Sequence, residues 1–92
     1  MKYVFYWKIK EPWDKNYKKT MEIQEKRVKK GENWGDDMIF PIHSYMTENK
    51  AFMIIETDDE TKVAKWAADY SSVFDYKIIP VMEWTKIQKL FE

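Results

Sequence analysis

The 92-residue sequence contains no cysteine, so neither a disulfide framework nor a thiolate metal site is open to it. It has no excess of charge of either sign, because sixteen basic residues balance sixteen acidic ones. Without a bulk field to draw phosphate or anionic lipid, nucleic-acid and membrane-surface functions start at a disadvantage. No apolar run approaches the roughly 20 residues of a membrane span. The opening segment MKYVFYWKIK carries Lys2, Lys8 and Lys10 and lacks a small-residue cleavage site, unlike a secretory leader. The expectation is a soluble cytoplasmic protein. Repeats, linkers and low-complexity segments are also missing, so residues 1–92 read as one small domain.

What the chain has in quantity is aromatic surface: 17% of its residues, comprising five Trp, six Tyr and five Phe. A sheet backed by helices on one face cannot hide that much. Either a partner chain supplies a second layer or the aromatics form a ligand surface.

Residues 2 to 9 predict a strand that is apolar on both pleat faces, with Tyr3, Phe5, Trp7 and Ile9 on one and Val4 and Tyr6 on the other. Such a strand belongs in the middle of a sheet. From Pro12 to Lys30 the spacing of Trp13, Tyr17, Met21, Gln24 and Val28 predicts a helix with a narrow apolar stripe, and Gly31 is its natural stop. Its basic residues, Arg27 among them, predict a solvated face, and Trp34 in the following polar loop reads as exposed. Strands are predicted over 38–47 and 51–57, joined by a short hairpin at Thr47, Glu48 and Asn49. Thr57-Asp58-Asp59-Glu60 matches a capping box, in which the Thr hydroxyl and the Glu carboxylate satisfy each other's free amides. The helix that follows presents Val63, Trp66, Ala67 and Tyr70 on one side and ends at Ser71-Ser72. A fourth strand over 74–83 and a short helix from Trp84 to Phe91 complete the chain.

The order β-α-β-β-α-β-α predicts an α+β, ferredoxin-like domain with an extra C-terminal helix and an antiparallel sheet in the order 4-1-3-2. The prolines agree. Proline cannot donate to a ladder and is confined to edges and bulges. Pro41 and Pro80 fall in strands 2 and 4, the two expected edges.

One stretch of the chain resembles a known family. Glu56-Thr57-Asp58-Asp59, Ala64-Lys65-Trp66-Ala67, Tyr70-Ser71, Asp75-Tyr76 and Pro80-Val81 are similar to domain of unknown function 3303, and Tyr6-Trp7-Lys8-Ile9 resembles its first strand. The likeness covers strand 1 and roughly residues 50–83, while residues 10–45 depart from the pattern. Family members often carry a Trp-His pair and glycines in the hairpin region, which here reads His43-Ser44-Tyr45-Met46-Thr47-Glu48-Asn49; no role of that pair passes to this chain. The resemblance implies a homodimeric α/β barrel in which two sheets pack face to face. Relatives in that wider group range from cofactor-free monooxygenases and isomerases to proteins with no assigned chemistry, and fold does not choose among them.

His43 is the single histidine. On an open sheet face it would act as general base or orienting group, with Glu56 or Asp75 as carboxylate partner and Tyr6 as hydrogen-bond donor. The bland alternative is an edge histidine satisfied by solvent. Phe52, Ile54, Lys77 and Trp7 are the residues expected to touch a bound molecule. Asp58 and Asp59 resemble a metal-binding pair but stand where a helix start wants acid, so no metal and no cofactor are expected. Phe52 also falls on a stacking position of RNA-recognition motifs, which share this element order. The leading reading is a homodimeric barrel, structural or binding an apolar small molecule. A cofactor-free enzyme acting on an aromatic or apolar molecule is the alternative, and RNA binding comes third.

Overall fold

A computed structural model describes all of residues 1–92. The elements are β1 (Lys2–Ile9), α1 (Trp13–Lys29), a 3-10 turn (Gly35–Asp37), β2 (Met38–Ser44), β3 (Lys50–Glu56), α2 (Glu60–Tyr70), β4 (Phe74–Val81) and α3 (Trp84–Lys89). The sheet is antiparallel throughout, in the order β2-β3-β1-β4. This is 4-1-3-2 read from the other edge, compatible with a ferredoxin-like unit. Pro41 and Pro80 lie in the two edge strands, where a missing N–H costs least. No helix is long and apolar enough to cross a membrane.

Period-2 alternation divides the sheet into two unlike faces. Tyr3, Phe5 and Trp7 of β1 and Ala51, Met53 and Ile55 of β3 point to the helix side and are buried. There they meet Trp66 and Tyr70 of α2. The core is an aromatic stack: Phe5 meets Trp66 edge-on at 4.9 Å, and Tyr70 lies parallel to Phe74 at 4.8 Å, both favoured ring geometries. Neither α1 nor α2 lies on the other face.

Two termini depart from expectation in instructive ways. Thr57 is held at the end of β3, where its N–H bonds to the Met1 carbonyl at 3.0 Å, so it cannot enter the helix as its cap. Its hydroxyl instead accepts the N–H of Asp59 at 3.1 Å, and Asp59 caps α2 by accepting the N–H of Thr61 at 3.0 Å. The expected Thr57/Glu60 capping box is thus replaced by a turn followed by a one-residue cap. At the end of α1, Gly31 adopts φ +70°. The N–H of Glu32 reaches the Arg27 carbonyl and that of Gly31 the Val28 carbonyl, the paired bonds of a Schellman stop.

The largest correction concerns α1. Its expected apolar stripe does not enter the core: Tyr17, Met21 and Val28 remain 59%, 48% and 55% exposed. The helix packs instead by Asn16, Thr20, Ile23 and Arg27, a stripe rotated by about 90° at 100° per residue. Hydrogen bonds set this rotation. The Asn16 amide donates to the Lys10 carbonyl at 2.8 Å, while the Thr20 hydroxyl is satisfied inside the helix by the Asn16 carbonyl at 2.7 Å. Arg27 is buried rather than solvated, and its guanidinium donates to Asp69 of α2 at 2.7 Å and to the Glu32 carbonyl at 2.8 Å. It lies between the rings of Trp34 and Tyr70, 6.0 and 5.7 Å from their centroids. Trp34, read from sequence as exposed, is buried against Phe5 at 5.5 Å, because the 3-10 turn, opened by Gly35 at φ +54°, folds the loop back onto the sheet.

Candidate functional site

Two concave regions result. The first is a cleft of about 730 Å³ between α1 and the β2–β3 hairpin, on the helix side of the sheet. Tyr17, Met21 and Val28 form one wall and the hairpin segment Ser44–Lys50 the other. Trp7, Trp34, Met53 and Phe74 form the floor. The rotation of α1 creates this cleft, because a helix anchored by Asn16 and Arg27 holds its apolar stripe over open space. Its polar lining is Thr20, Gln24 and Arg27 from the helix, Asn33 from the loop that follows, and Ser44, Thr47, Glu48, Asn49 and Lys50 from the hairpin, where Glu48 and Lys50 pair at 3.6 Å. The one buried cation, Arg27, is already paired with Asp69.

The ion network beneath that wall shapes its electrostatics. Burial pushes the Asp69 carboxyl upward, but hydrogen bonds from Lys65 and Arg27 outweigh it and hold Asp69 below the ordinary carboxylate range. Burial pushes the Tyr70 phenol above its usual value, opposed by the Arg27 charge. Glu32 sits 3.8 Å from Arg27 and 3.6 Å from Lys65, closing the cluster.

The second region is the open sheet face. The strand register arranges it in rows across β3, β1 and β4: Lys50, Lys8 and Asp75; then Phe52, Tyr6 and Lys77; then Ile54, Val4 and Ile79; then Glu56, Lys2 and Val81. From β2, His43 lies opposite Phe52 and Phe40 opposite Ile54. The rings cluster, with Phe40 stacked on Phe52 at 5.6 Å, Tyr6 tilted on Phe52 at 6.2 Å and Tyr45 edge-on to it at 6.2 Å. At the lysine-rich end, Tyr6, Lys8, Lys50, Asp75 and Lys77 frame a shallow hollow of about 450 Å³.

Of the residues singled out from sequence, Tyr6, His43, Phe52, Ile54, Glu56, Asp75 and Lys77 all lie on this open face, and Trp7 does not. Its indole is on the helix side, 5.5 Å from both Trp66 and Phe74. The acid–base set does not converge. His43 is three strand positions and two residues from Asp75, about 16 Å, and one strand and four residues from Glu56, about 14 Å, at 4.8 Å per strand and 3.3 Å per residue. The His43 Nδ1 lies 2.8 Å from the Pro41 carbonyl oxygen, so Nδ1–H donates there and the ring stacks on Phe40 at 4.6 Å. His43 lines neither the cleft nor the hollow. Asp58 is exposed and meets the Met1 ammonium at 3.2 Å, while Asp59 is occupied as a cap. Three or more His, Asp or Glu side chains do not gather anywhere to hold a metal ion.

The sequence reading missed the cleft. Its signal was present in the stripe Tyr17, Met21 and Val28, but a stripe does not reveal whether it meets protein or open space.

No curated protein compared with this chain matches it. The family model that matches covers residues 1–92 and with them both regions just described: the chain belongs to the family described as Domain of unknown function (DUF3303).

Proposed function

We propose that the protein is a homodimeric binding protein that holds a neutral, flat, apolar molecule in the cleft between α1 and the sheet. The observation that carries this reading is the orientation of α1, whose Tyr17, Met21 and Val28 face a 730 Å³ space floored by Trp7, Trp34 and Phe74. Apolar surface held against water is unfavourable by about 25 cal/mol per Å², and a ligand that fills the space removes that cost. The volume suits a small organic molecule, since such sites typically span about 300–1,000 Å³. Met21, Met38, Met46 and Met53 line it with adaptable side chains, which favours a class of shapes over one shape. Because Asp69 neutralises Arg27 and Glu48 lies 3.6 Å from Lys50, the cleft offers an anion little. His43 lies outside it and no acid–base pair is assembled, so the reading is of binding rather than catalysis.

The dimer covers the other face. Two sheets stacked at about 10 Å would bury Tyr6, Phe40, Phe52 and Ile79, which otherwise expose rings and branched chains to water. This is the barrel arrangement that the family resemblance implied.

The test uses the full chain titrated with Nile red, a neutral planar dye. Trp7, Trp34 and Trp66 line the cleft, so saturable quenching of tryptophan emission is expected, and Val28→Trp or Met21→Trp should weaken it at least about tenfold by filling the space. Absence of saturable binding, or binding indifferent to both variants, would remove the cleft as the site.

One observation favours a second reading. Tyr6 lies directly opposite Phe52 with Lys77 beside it, an arrangement suited to stacking bases of single-stranded RNA. A chain that sediments as a monomer at micromolar concentration and binds a labelled single-stranded RNA, with loss of binding in Phe52→Ala, would put this reading first.

A further inference from the structure

We infer that the molecule held in the cleft is a flat aromatic ketone or lactone, and that the donors recognising its carbonyl oxygen are Trp34, Trp66 and Tyr70 together with Arg27. This rests on the cleft reading above and names the polar group that the occupant carries.

The first observation is a set of buried donors that lack acceptors. Trp34, Trp66 and Tyr70 line the cleft and are only 9%, 4% and 6% exposed. A buried Trp N–H or Tyr O–H ordinarily finds a partner inside the protein. These three do not. The side-chain hydrogen bonds around them run from Arg27 to Asp69 and to the Glu32 carbonyl, and from Lys65 to Asp69. The one buried side-chain polar atom sealed away without a hydrogen-bond partner is Glu32 Oε2. The indole and phenol donors are thus not sealed but reach open space, and the open space these side chains line is the cleft.

The second observation is that the donors stand together. The rings of Trp66 and Tyr70 are 4.9 Å apart, and the Arg27 guanidinium lies 5.7 Å from the Tyr70 ring and 6.0 Å from that of Trp34. A guanidinium carries five N–H groups. Arg27 directs them to Asp69 and the Glu32 carbonyl through its two terminal nitrogens, and its remaining N–H groups meet no acceptor in the chain. Indole and guanidinium nitrogens donate and never accept. Burial holds the Tyr70 phenol above its usual value, so it keeps its proton at neutral pH. The neutral acceptors of the cleft, Gln24, Asn33 and Ser44, are exposed, where water serves them. The deep part of the site is therefore rich in donors and poor in acceptors.

Such a site selects by what a ligand would leave unmet. Water satisfies the donors until a ligand displaces it, and a ligand without an acceptor then strands them. A site built this way rejects the analogue lacking the acceptor more strongly than an apolar wall rejects a missing methylene. A carboxylate would also accept, but Asp69 and Glu32 already flank Arg27, so its charge would be desolvated without compensation. A ketone or lactone oxygen brings two lone pairs in the plane of its ring system and no charge. One such oxygen takes two donors while the rings lie against Trp34 and Trp66.

The experiment is equilibrium dialysis of the full chain against fluorenone and fluorene, two neutral planar ligands of one skeleton that differ as C=O against CH₂. Fluorene is the more apolar, so burial of area alone ranks it at least equal. The expected order is the reverse, with fluorenone bound at least about tenfold tighter. Tyr70→Phe deletes the O–H and keeps the ring; it should weaken fluorenone several-fold and leave fluorene unchanged. Trp34→Phe and Trp66→Phe should lower the ratio of the two affinities, which cancels their shared loss of apolar contact. Far-UV circular dichroism verifies folding of each variant. In wild-type protein, the infrared carbonyl stretch of bound fluorenone should lie at lower wavenumber than in an apolar solvent, and should move back in Tyr70→Phe. Saturable binding of both ligands without preference for fluorenone overturns the donor assignment and leaves the cleft reading standing. A preference that survives in all three variants, with an unmoved carbonyl stretch, overturns it as well. Absence of saturable binding by either ligand removes the cleft reading and this inference with it.

Discussion

Replacing Arg27 with Ala tests the most consequential departure from the sequence reading, the burial of a helix cation. The structure gives the perturbation a definite size. The side chains of Arg27 and Asp69 are 8% and 18% exposed and meet at 2.7 Å. Breaking a buried pair by deleting one partner costs about 3–5 kcal/mol, since it strands the other charge. Here Asp69 keeps Lys65 at 2.5 Å, which offsets part of that loss. The Glu32 carbonyl, however, also loses its donor, and the rings of Trp34 and Tyr70 lose the plane between them. The expected loss is therefore near the lower limit, about 3 kcal/mol. For a domain of this size that corresponds to about 12–24 °C in Tm. Urea unfolding followed by tryptophan fluorescence at one fixed protein concentration reads it, because association would otherwise shift the midpoint. Arg27→Met keeps the stem between the rings and should lose less than Arg27→Ala. A cycle with Asp69→Asn should return a coupling of about 0.5–3 kcal/mol, the range for residues in contact. An Arg27→Ala variant within about 1 kcal/mol of the parent, the range of an exposed ion pair, would refute the reasoning and return Arg27 to the solvated face.

Three further outcomes follow from the same geometry. Asp69 has a depressed carboxyl pKa in the folded chain, so its stabilisation is present above the unfolded carboxylate value of about 3.9 and is lost as pH falls through the lower folded value; Asp69→Asn should flatten that acid limb in urea midpoints measured from pH 7 down to pH 2. Asp59→Ala should lower Tm while Asp59→Asn restores most of it, whereas Glu60→Ala should have little effect, the reverse of what a capping box requires. Trp34→Ala, at a site only 9% exposed, should cost about 3–5 kcal/mol and remove a solvent-shielded component of tryptophan emission. Retention of stability in that variant would place Trp34 back in a solvated loop.

How far the fold was legible depends on the range of the interactions that decide each feature. Strand 1 is written in its alternation, and its central place follows from apolar residues on both pleat faces. Pro41 and Pro80 mark the edges through one missing N–H each. Gly31 stops α1 through its backbone alone. These are local properties, readable without knowing any partner. The rotation of α1 is not local. Arg27 finds Asp69 forty-two positions away, and Asn16 finds the Lys10 carbonyl across a proline turn, so the periodicity of Trp13, Tyr17, Met21 and Val28 predicted a packed stripe where the chain has a cleft wall. The candidate site divides the same way. Residues suspected from sequence share one open face because strand pairing puts them there, yet His43, Glu56 and Asp75 remain too far apart to act together.

By itself, the sequence determined the element order, the edge strands, the helix stops and membership in its family, because periodicity, proline chemistry and glycine conformations act within a few residues. Only the tertiary structure decided which way α1 faces, that Arg27 and Trp34 are inside, that Asp59 rather than Thr57 caps α2, and that a 730 Å³ cleft lies under the helix. Each of these is set by a hydrogen bond or ring contact between distant segments, where a polar side chain that finds its partner outweighs a solvent-facing apolar stripe.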